Sequence, residues 1–316
     1  MTVPVVADRV HVRAPGKLNL FFEVGDVQAD GYHDVASAYQ AVSLYEDVWA
    51  QPAADFTVSV IGTVDVGGVP ADDRNLALRA ARLLAKKSGY EGGVHLDIHK
   101  HVPVAGGMGG GSADAAAALV ACDALWGTDL GGAELHRLAA RLGADVPFAL
   151  MGGTAIGTGR GDQLSAALAK GRFDWIVVTS GDGLSTPEVY SHLDALRGAG
   201  AAGEPPRDIG RSVRTPEVDP GVLHALRAGD PVALAERVRN DLQAAAISLR
   251  PQLRDALELG EQSGALVGMV SGSGPTLAFL VGDPESALEL QVTLSASGLT
   301  ALHVHGPVAG ARVMGH

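Results

Sequence analysis

The chain has 316 residues, 47% hydrophobic and 19% charged, the balance of a folded globular protein rather than a disordered or fibrous one. At roughly 150 residues per domain this length predicts two domains, and apolar runs such as 115–121 fall short of the ~20 residues of a bilayer span. Thirty-six acidic against 24 basic residues leave a net charge of −12, which argues against a nucleic-acid partner bound by counterion release.

Asp8, Arg9 and Arg13 interrupt the start of the chain, so no secretory leader is expected and the cytoplasm is the expected location. Residues 9–24 alternate around Pro15-Gly16 and predict two short strands joined at that break, with Lys17 just past the bend. Further strands are predicted at 42–50 and 56–61. Leu76, Ala80, Leu83 and Leu84 give residues 75–87 a helical period, with Asp72 or Asp73 as the cap. Gly93 to His99 alternates as a strand and runs through a glycine cluster into a helix over 113–126. Cys122, the only cysteine, lies in that helix at an apolar position and reads as core packing. A helix over 133–142 ends at Gly143, and Asp145-Val146-Pro147 opens a short one with Asp145 as its cap. Residues 151–161 predict a strand and a turn. The β-branched run 174–179 begins a second domain, giving domains of 1–169 and 170–316. Residues 198–216 have no period and read as a mobile loop. Beyond them, helices are predicted at 219–228, 231–245, 250–263 and 284–297, and strands near 266–270, 276–281 and 301–305. Mixed elements in two blocks predict an α+β fold.

Five glycines stand just before the helix at 113, in the run Pro103, Val104, Ala105, Gly106, Gly107, Met108, Gly109, Gly110, Gly111, Ser112, Ala113. Glycine leaves no Cβ in the way, so successive N–H groups can turn toward phosphate oxygens, and the helix dipole adds to them. A side chain at Gly110 is expected to fill such a cradle. Ser112 is placed to cap the helix or to offer its hydroxyl to a phosphate or Mg²⁺. The alternative is a flexible turn capped by Ser112. No G-x-x-x-x-G-K-[ST] loop or G-x-S-x-G elbow occurs, and the G-x-G-x-x-G at 198–203 lies in the wrong context. His99 with His101, and His303 with His305, lack a third ligand, so no resident metal site is expected. On spacing alone Lys17 could be a strand-edge lysine, Asp145 a helix cap, and 271–276 an ordinary turn.

Taken in order, Pro15-Gly16-Lys17-Leu18-Asn19, the loop from Pro103 to Ala117 and Ser271-Gly272-Ser273-Gly274-Pro275-Thr276 resemble the motifs of the GHMP kinases, named for galacto-, homoserine, mevalonate and phosphomevalonate kinases. Asp30-Gly31-Tyr32-His33, the stretch Gly143 to Phe148 and Asn240-Asp241-Leu242 are similar to the branch whose acceptor is a cytidine diphosphate-linked polyol. The resemblance spans nearly the whole chain and implies a two-domain α+β fold with the active site in the interdomain cleft. It implies ATP as co-substrate, Mg²⁺, and phosphoryl transfer to an alcohol. It assigns the base to Asp145 and the orienting cation to Lys17. The ATP phosphates fall to the loop 103–113, adenine or its ribose to Asn75 and Leu76, and a metal contact to Ser112. Acceptor contacts fall to Asn19, Tyr32, His33, Thr186 and Tyr190, with Tyr190 stacking on the cytosine and His33 bonding its edge. Asn240 and Asp241 would brace that wall, and the 198–216 loop is longer than the family's.

Overall fold

The computed structural model describes residues 8–181, 183–200 and 215–315. Residues 201–214 of the predicted 198–216 loop therefore lie outside the described residues. The chain first builds β1 (Val10–Val27), β2 (His33–Ala53), β3 (Phe56–Gly62), α1 (Leu76–Ser88), β4 (Gly93–Lys100) and α2 (Gly110–Trp126). It continues through α3 (Gly132–Ala140), α4 (Val146–Met151), β5 (Thr154–Thr158) and β6 (Gln163–Ala166). Then follow β7 (Phe173–Thr179), α5 (Thr186–Gly200), α6 (Pro220–Ala228), α7 (Pro231–Ala235), β8 (Arg239–Asn240) and α8 (Gln243–Leu249). The last elements are α9 (Gln252–Gln262), β9 (Val267–Val270), β10 (Leu277–Val281), α10 (Pro284–Ala296), β11 (Thr300–Gly306) and β12 (Arg312–Val313).

Two sheets result, as the α+β expectation requires. One runs β12-β1-β2-β4-β3, with β5 and β6 extending from β2 and β8 joining β1; the other runs β11-β7-β10-β9. Although β8 and β12 come late in the chain, both return to β1, so the second half is stitched into the first sheet. The inward residues of β1, β2 and β4, among them Val12, Val48 and Leu96, pack against α1 and α2. Small side chains from Ala115 to Ala118 let α2 lie close to that sheet, and Cys122 is buried there as expected. A second core, with Leu18, Leu20 and Met108 against Trp175, Val177 and Leu280, joins the two sheets. Among the described residues no helix is long and apolar enough to cross a membrane.

Several sequence expectations are corrected. Residues 10–27 form one strand, because Pro15 and Gly16 sit at a bulge: Pro15 pairs with Tyr45 and Gly16 with Val42. A bulge leaves the proline without a ladder bond to make and lets the strand continue. Lys17 is consequently buried inside the sheet rather than past a bend. Asn75, not Asp72 or Asp73, caps α1, its side chain accepting from the N–H groups of Ala77 and Leu78 at 2.9 and 3.3 Å. The two aspartates are held instead by Arg74 and Arg82. The helix expected at 113 begins at Gly110, with Gly109 in the left-handed conformation ahead of it, so Ser112 lies within the first turn and caps nothing. The helix expected over 231–245 is broken into α7, β8 and the start of α8.

Replacing Asn75 by Ala should cost about 1 kcal/mol of unfolding free energy, the usual loss for an N-cap. Urea unfolding checks this, and an unchanged midpoint would remove the cap from the account.

Candidate active site

The bulge in β1 sets the position of Lys17, and the surrounding groups set its direction. Its backbone N–H donates to the carbonyl of Met108 at 2.9 Å, tying β1 to the glycine loop. Its Nζ donates to Asn19 Oδ1 at 2.5 Å and lies 3.9 Å from Asp145 Oδ2. Asn19 is fixed in turn by donating to Ser37 Oγ at 2.8 Å, and Ser37 donates to the Phe21 carbonyl at 3.0 Å. Asp145 occupies the cap position of α4, but its carboxylate accepts no bond from that helix. The expected side-chain cap is thus absent, and a carboxylate 32% exposed is left facing Lys17. Burial, reinforced by the Asp145 charge, raises the pKa of the nearby Tyr39 and Tyr190 phenols, so both stay neutral.

Two chambers meet at this point. The first, of about 370 Å³, is lined by Pro103 to Gly107, Gly109 to Ser112, Asn75 and Leu76. Helix geometry leaves the N–H groups of Gly110, Gly111 and Ser112 without intrahelical acceptors at its wall. The second, of about 400 Å³, is lined by Lys17, Asn19, Asp145, Thr186 and Tyr190. Gly107, Gly109 and Ser112 line both.

Most of the expected site residues are brought together, with four exceptions. Met108 and Ala113 are buried in the cores and line neither chamber. Tyr32 and His33 stand one layer back from the second chamber. The His33 ring lies 5.2 Å from that of Tyr190, and its Nε2 is 2.9 Å from Asp194 Oδ1. Tyr32 is exposed beneath the guanidinium of Arg160. Gly110 also differs from expectation: a Cβ there would meet Glu46 Oε1 at 2.8 Å and Lys100 Nζ at 3.2 Å, not the cradle. At Gly111 the same test finds open space.

Sequence reasoning did not find the group under Gly110. Lys100 Nζ donates to Glu46 Oε1 at 2.5 Å and to Asp114 Oδ2 at 2.7 Å, all three side chains being buried. Burial, reinforced by the nearby Asp114 charge, pushes the pKa of the Glu46 carboxyl up to about 8, and burial raises that of Asp114 as well. Burial works against the Lys100 charge, but the two carboxylates outweigh it and raise its pKa. The signal was available in the alternation of β4, where Lys100 continues the inward series Val94, Leu96, Ile98.

As a host for a cation, the site has the Ser112 hydroxyl at the junction of the two chambers, while Asp114 behind it is buried against Lys100 with its Oδ1 left without a hydrogen-bond partner. Among the described residues no cluster of three His, Cys, Asp or Glu could hold a metal by itself. That donor set fits Mg²⁺, which keeps waters and takes phosphate oxygens.

Family models of the GHMP kinases N terminal domain and the GHMP kinases C terminal match residues 75–153 and 222–298. The 4-diphosphocytidyl-2-C-methyl-D-erythritol kinase of Leifsonia xyli subsp. xyli (strain CTCB07) is 61% identical over 97% of this chain and 99% of its own. The chain belongs to that family of GHMP kinases. A crystal structure of a 4-(cytidine 5'-diphospho)-2C-methyl-D-erythritol kinase superposes with a TM-score of 0.72 at 30% identity, over 94% of this chain and 99% of that one. Homoserine kinase from Cytophaga hutchinsonii shares the fold at a TM-score of 0.73 and 18% identity, over 99% and 100% of the two chains. This GHMP kinase is therefore an ATP-dependent small-molecule kinase with the two-domain α+β fold of its family.

Two outcomes are expected. Gly111→Val should raise the KM for ATP at least tenfold while leaving the unfolding midpoint close to wild type, since Gly111 lines the first chamber and has open space at its Cβ; unchanged ATP kinetics would place the phosphates elsewhere. A carboxyl whose pKa is raised on folding holds a proton in the folded state that the unfolded chain has released, so its contribution declines as pH rises, here between 4.5 and about 8. Relative to wild type, Glu46→Gln should therefore gain stability as pH rises from 5 to 8, read from urea unfolding; a constant difference would show that Glu46 holds no such proton.

Proposed function

We propose that this kinase transfers the γ-phosphate of ATP to the 2-hydroxyl of 4-diphosphocytidyl-2-C-methyl-D-erythritol, in the non-mevalonate route to isoprenoid precursors. The name of the Leifsonia relative supports the acceptor. The observation that carries the chemistry is the junction at Gly107, Gly109 and Ser112, where one chamber opens beside the helix N-terminus and the other beside Lys17 and Asp145.

Asp145 takes the proton of the acceptor hydroxyl as its oxygen attacks the γ-phosphorus, and the bond to the ADP oxygen breaks in line. Lys17, 3.9 Å from Asp145 and held by Asn19, orients that hydroxyl. The unused N–H groups of Gly110, Gly111 and Ser112 bear on the phosphates, with the dipole of α2 behind them. Asn75 and Leu76 take the adenosine end. When bound, Mg²⁺ neutralises phosphate charge, and Ser112 is the side chain that would hold it. Tyr190 and Thr186 wall the acceptor, and His33 and Tyr32 act on it through Tyr190 and the Arg160 turn. Asn240 braces that wall by donating to the carbonyls of Val270 and Gly272 at 2.8 and 2.7 Å.

The division at 169/170 belongs to this reading, since sheet membership changes between β6 and β7. So do a cytoplasmic location and a small-molecule acceptor in place of nucleic acid, in keeping with the charge of −12.

ADP release should be selective for the cytidine compound over methylerythritol phosphate, mevalonate and homoserine, with the product's added phosphate found by mass spectrometry. Turnover of a different alcohol alone would discard the acceptor. Asp145→Asn should lower kcat by about 10²–10⁴, the range of a general base, with both substrates still bound. Near-normal turnover would remove Asp145 from the chemistry.

A further inference from the structure

A third groove, of about 390 Å³, shares no lining residue with either chamber and has no part in the chemistry above. It lies between the two sheets: Arg13, Tyr45 and Asp47 come from β1 and β2, and Thr179, Thr300 and Leu302 from β7 and β11. Thr179 and Thr300 are register partners, so their side chains leave the second sheet on the same face. His101, just past β4, adds a ring whose Nδ1 lies 3.0 Å from Thr63 Oγ1.

The charges at this groove do not balance. Where β12 returns to β1, Arg312 stands directly opposite Arg13, and like charges facing each other across an antiparallel pair destabilise it. Neither side chain has swung away, since both guanidinium groups rest on the Tyr45 ring, 5.2 and 5.6 Å from its centroid. The counter-charge is Asp47, which is buried and accepts from Nε and Nη2 of Arg13 at 3.1 and 3.2 Å. Its Oδ1 is also 2.5 Å from His11 Nε2, so that carboxylate is fully engaged. Among the described residues Arg312 meets no carboxylate, and its Nη1 donates to the Ala309 carbonyl at 3.4 Å. Two arginines thus share one aspartate in a protein of net charge −12, where carboxylates are plentiful. An anion beside Tyr45 would turn this repulsion into binding. The planar donor forks of two arginines suit phosphate oxygens, the threonine hydroxyls add donors, and Leu44, Val64 and Leu302 offer an apolar wall.

We infer that this groove is a second ligand site, outside the cleft, for a small phosphate-bearing anion. Arg13 and Arg312 hold the phosphate, Tyr45 is the platform of both guanidinium groups, and the apolar wall takes the carbon part of an organic phosphate. The inference is independent of the acceptor reading given above.

The test compares melting temperatures of wild type, Arg312→Gln and Arg312→Lys at constant ionic strength, with and without inorganic phosphate, pyrophosphate or phenyl phosphate. Arg13 is left intact, because removing it would strand the buried Asp47. At about 10 mM each anion should raise the wild-type melting temperature by about 1–3 °C, phenyl phosphate the most. The cleft can bind these anions too, so the part of the rise that Arg312→Gln loses is the groove's, and Arg312→Lys should keep most of it. Without anion, Arg312→Gln should melt no lower than wild type, since it removes a repulsion, and its KM for ATP should be unchanged. A rise that is the same in wild type and Arg312→Gln would overturn the site. A lower melting temperature for Arg312→Gln without anion would make Arg312 a packing residue of Tyr45, and a raised KM for ATP would put the lost response in the cleft; either overturns the inference. A response to phosphate and pyrophosphate with none to phenyl phosphate would assign the groove to inorganic anions and overturn the role of its apolar wall.

Discussion

The bond from the Lys17 N–H to the Met108 carbonyl, 2.9 Å long, is the constraint on which the cleft depends. It fastens the strand that carries Lys17 to the glycine loop, so the two chambers have a fixed separation. The bulge at Pro15 and Gly16 makes it possible by turning this stretch of β1 toward the loop without ending the strand. The second half of the chain closes on the same point. A Cβ on Gly107 would come within 2.1 Å of the Ser271 carbonyl oxygen, and one on Gly272 would sit 3.3 Å from Asn19 Oδ1 and 3.6 Å from Lys17 Nζ. Both glycines have positive φ as well, so two loops from different halves can touch only because neither carries a side chain there.

Beneath the cradle the triad of Lys100, Glu46 and Asp114 answers a problem of charge. Two ionised carboxylates against one ammonium would leave a buried negative charge under the loop proposed to receive phosphates. The raised pKa of Glu46, about 8, and that of Asp114 keep a proton in the triad near neutral pH and so cancel that charge. The triad also fixes the start of α2, since Asp114 lies in its second turn and Gly110 packs directly onto Glu46 and Lys100. A buried ionic group of this kind stabilises little by itself, yet removing one partner strands the others, which makes it a device for position rather than for stability.

Much of this site was legible in the sequence because its parts are local. The glycine run, Lys17 two residues before Asn19, and Asp145 at a helix start are each read from neighbours in the chain, and the family resemblance supplied their order. What was illegible depends on partners far away. Nothing near Pro15 says that β2 will continue across the break, so a bend was the natural reading where the structure has a bulge. The displacement of His33 toward Asp194 depends on a helix 161 residues further on. Gly110 and Gly111 look alike in sequence, and only the fold turns one toward Glu46 and the other toward open space. Arg160 lies in a stretch whose sequence shows only strand and turn, and its partners Tyr32 and Asp30 come from another hairpin.

On the proposed function, phosphate passes directly from the first chamber to an alcohol in the second, past Ser112, with no covalent stop on the protein. The most direct measurement is the stereochemical course of transfer from ATP made chiral at its γ-phosphorus with oxygen isotopes. In-line attack by the acceptor hydroxyl inverts the configuration, and inversion is the result this geometry requires. Net retention would mean two successive transfers through a phosphorylated side chain, and would contradict it.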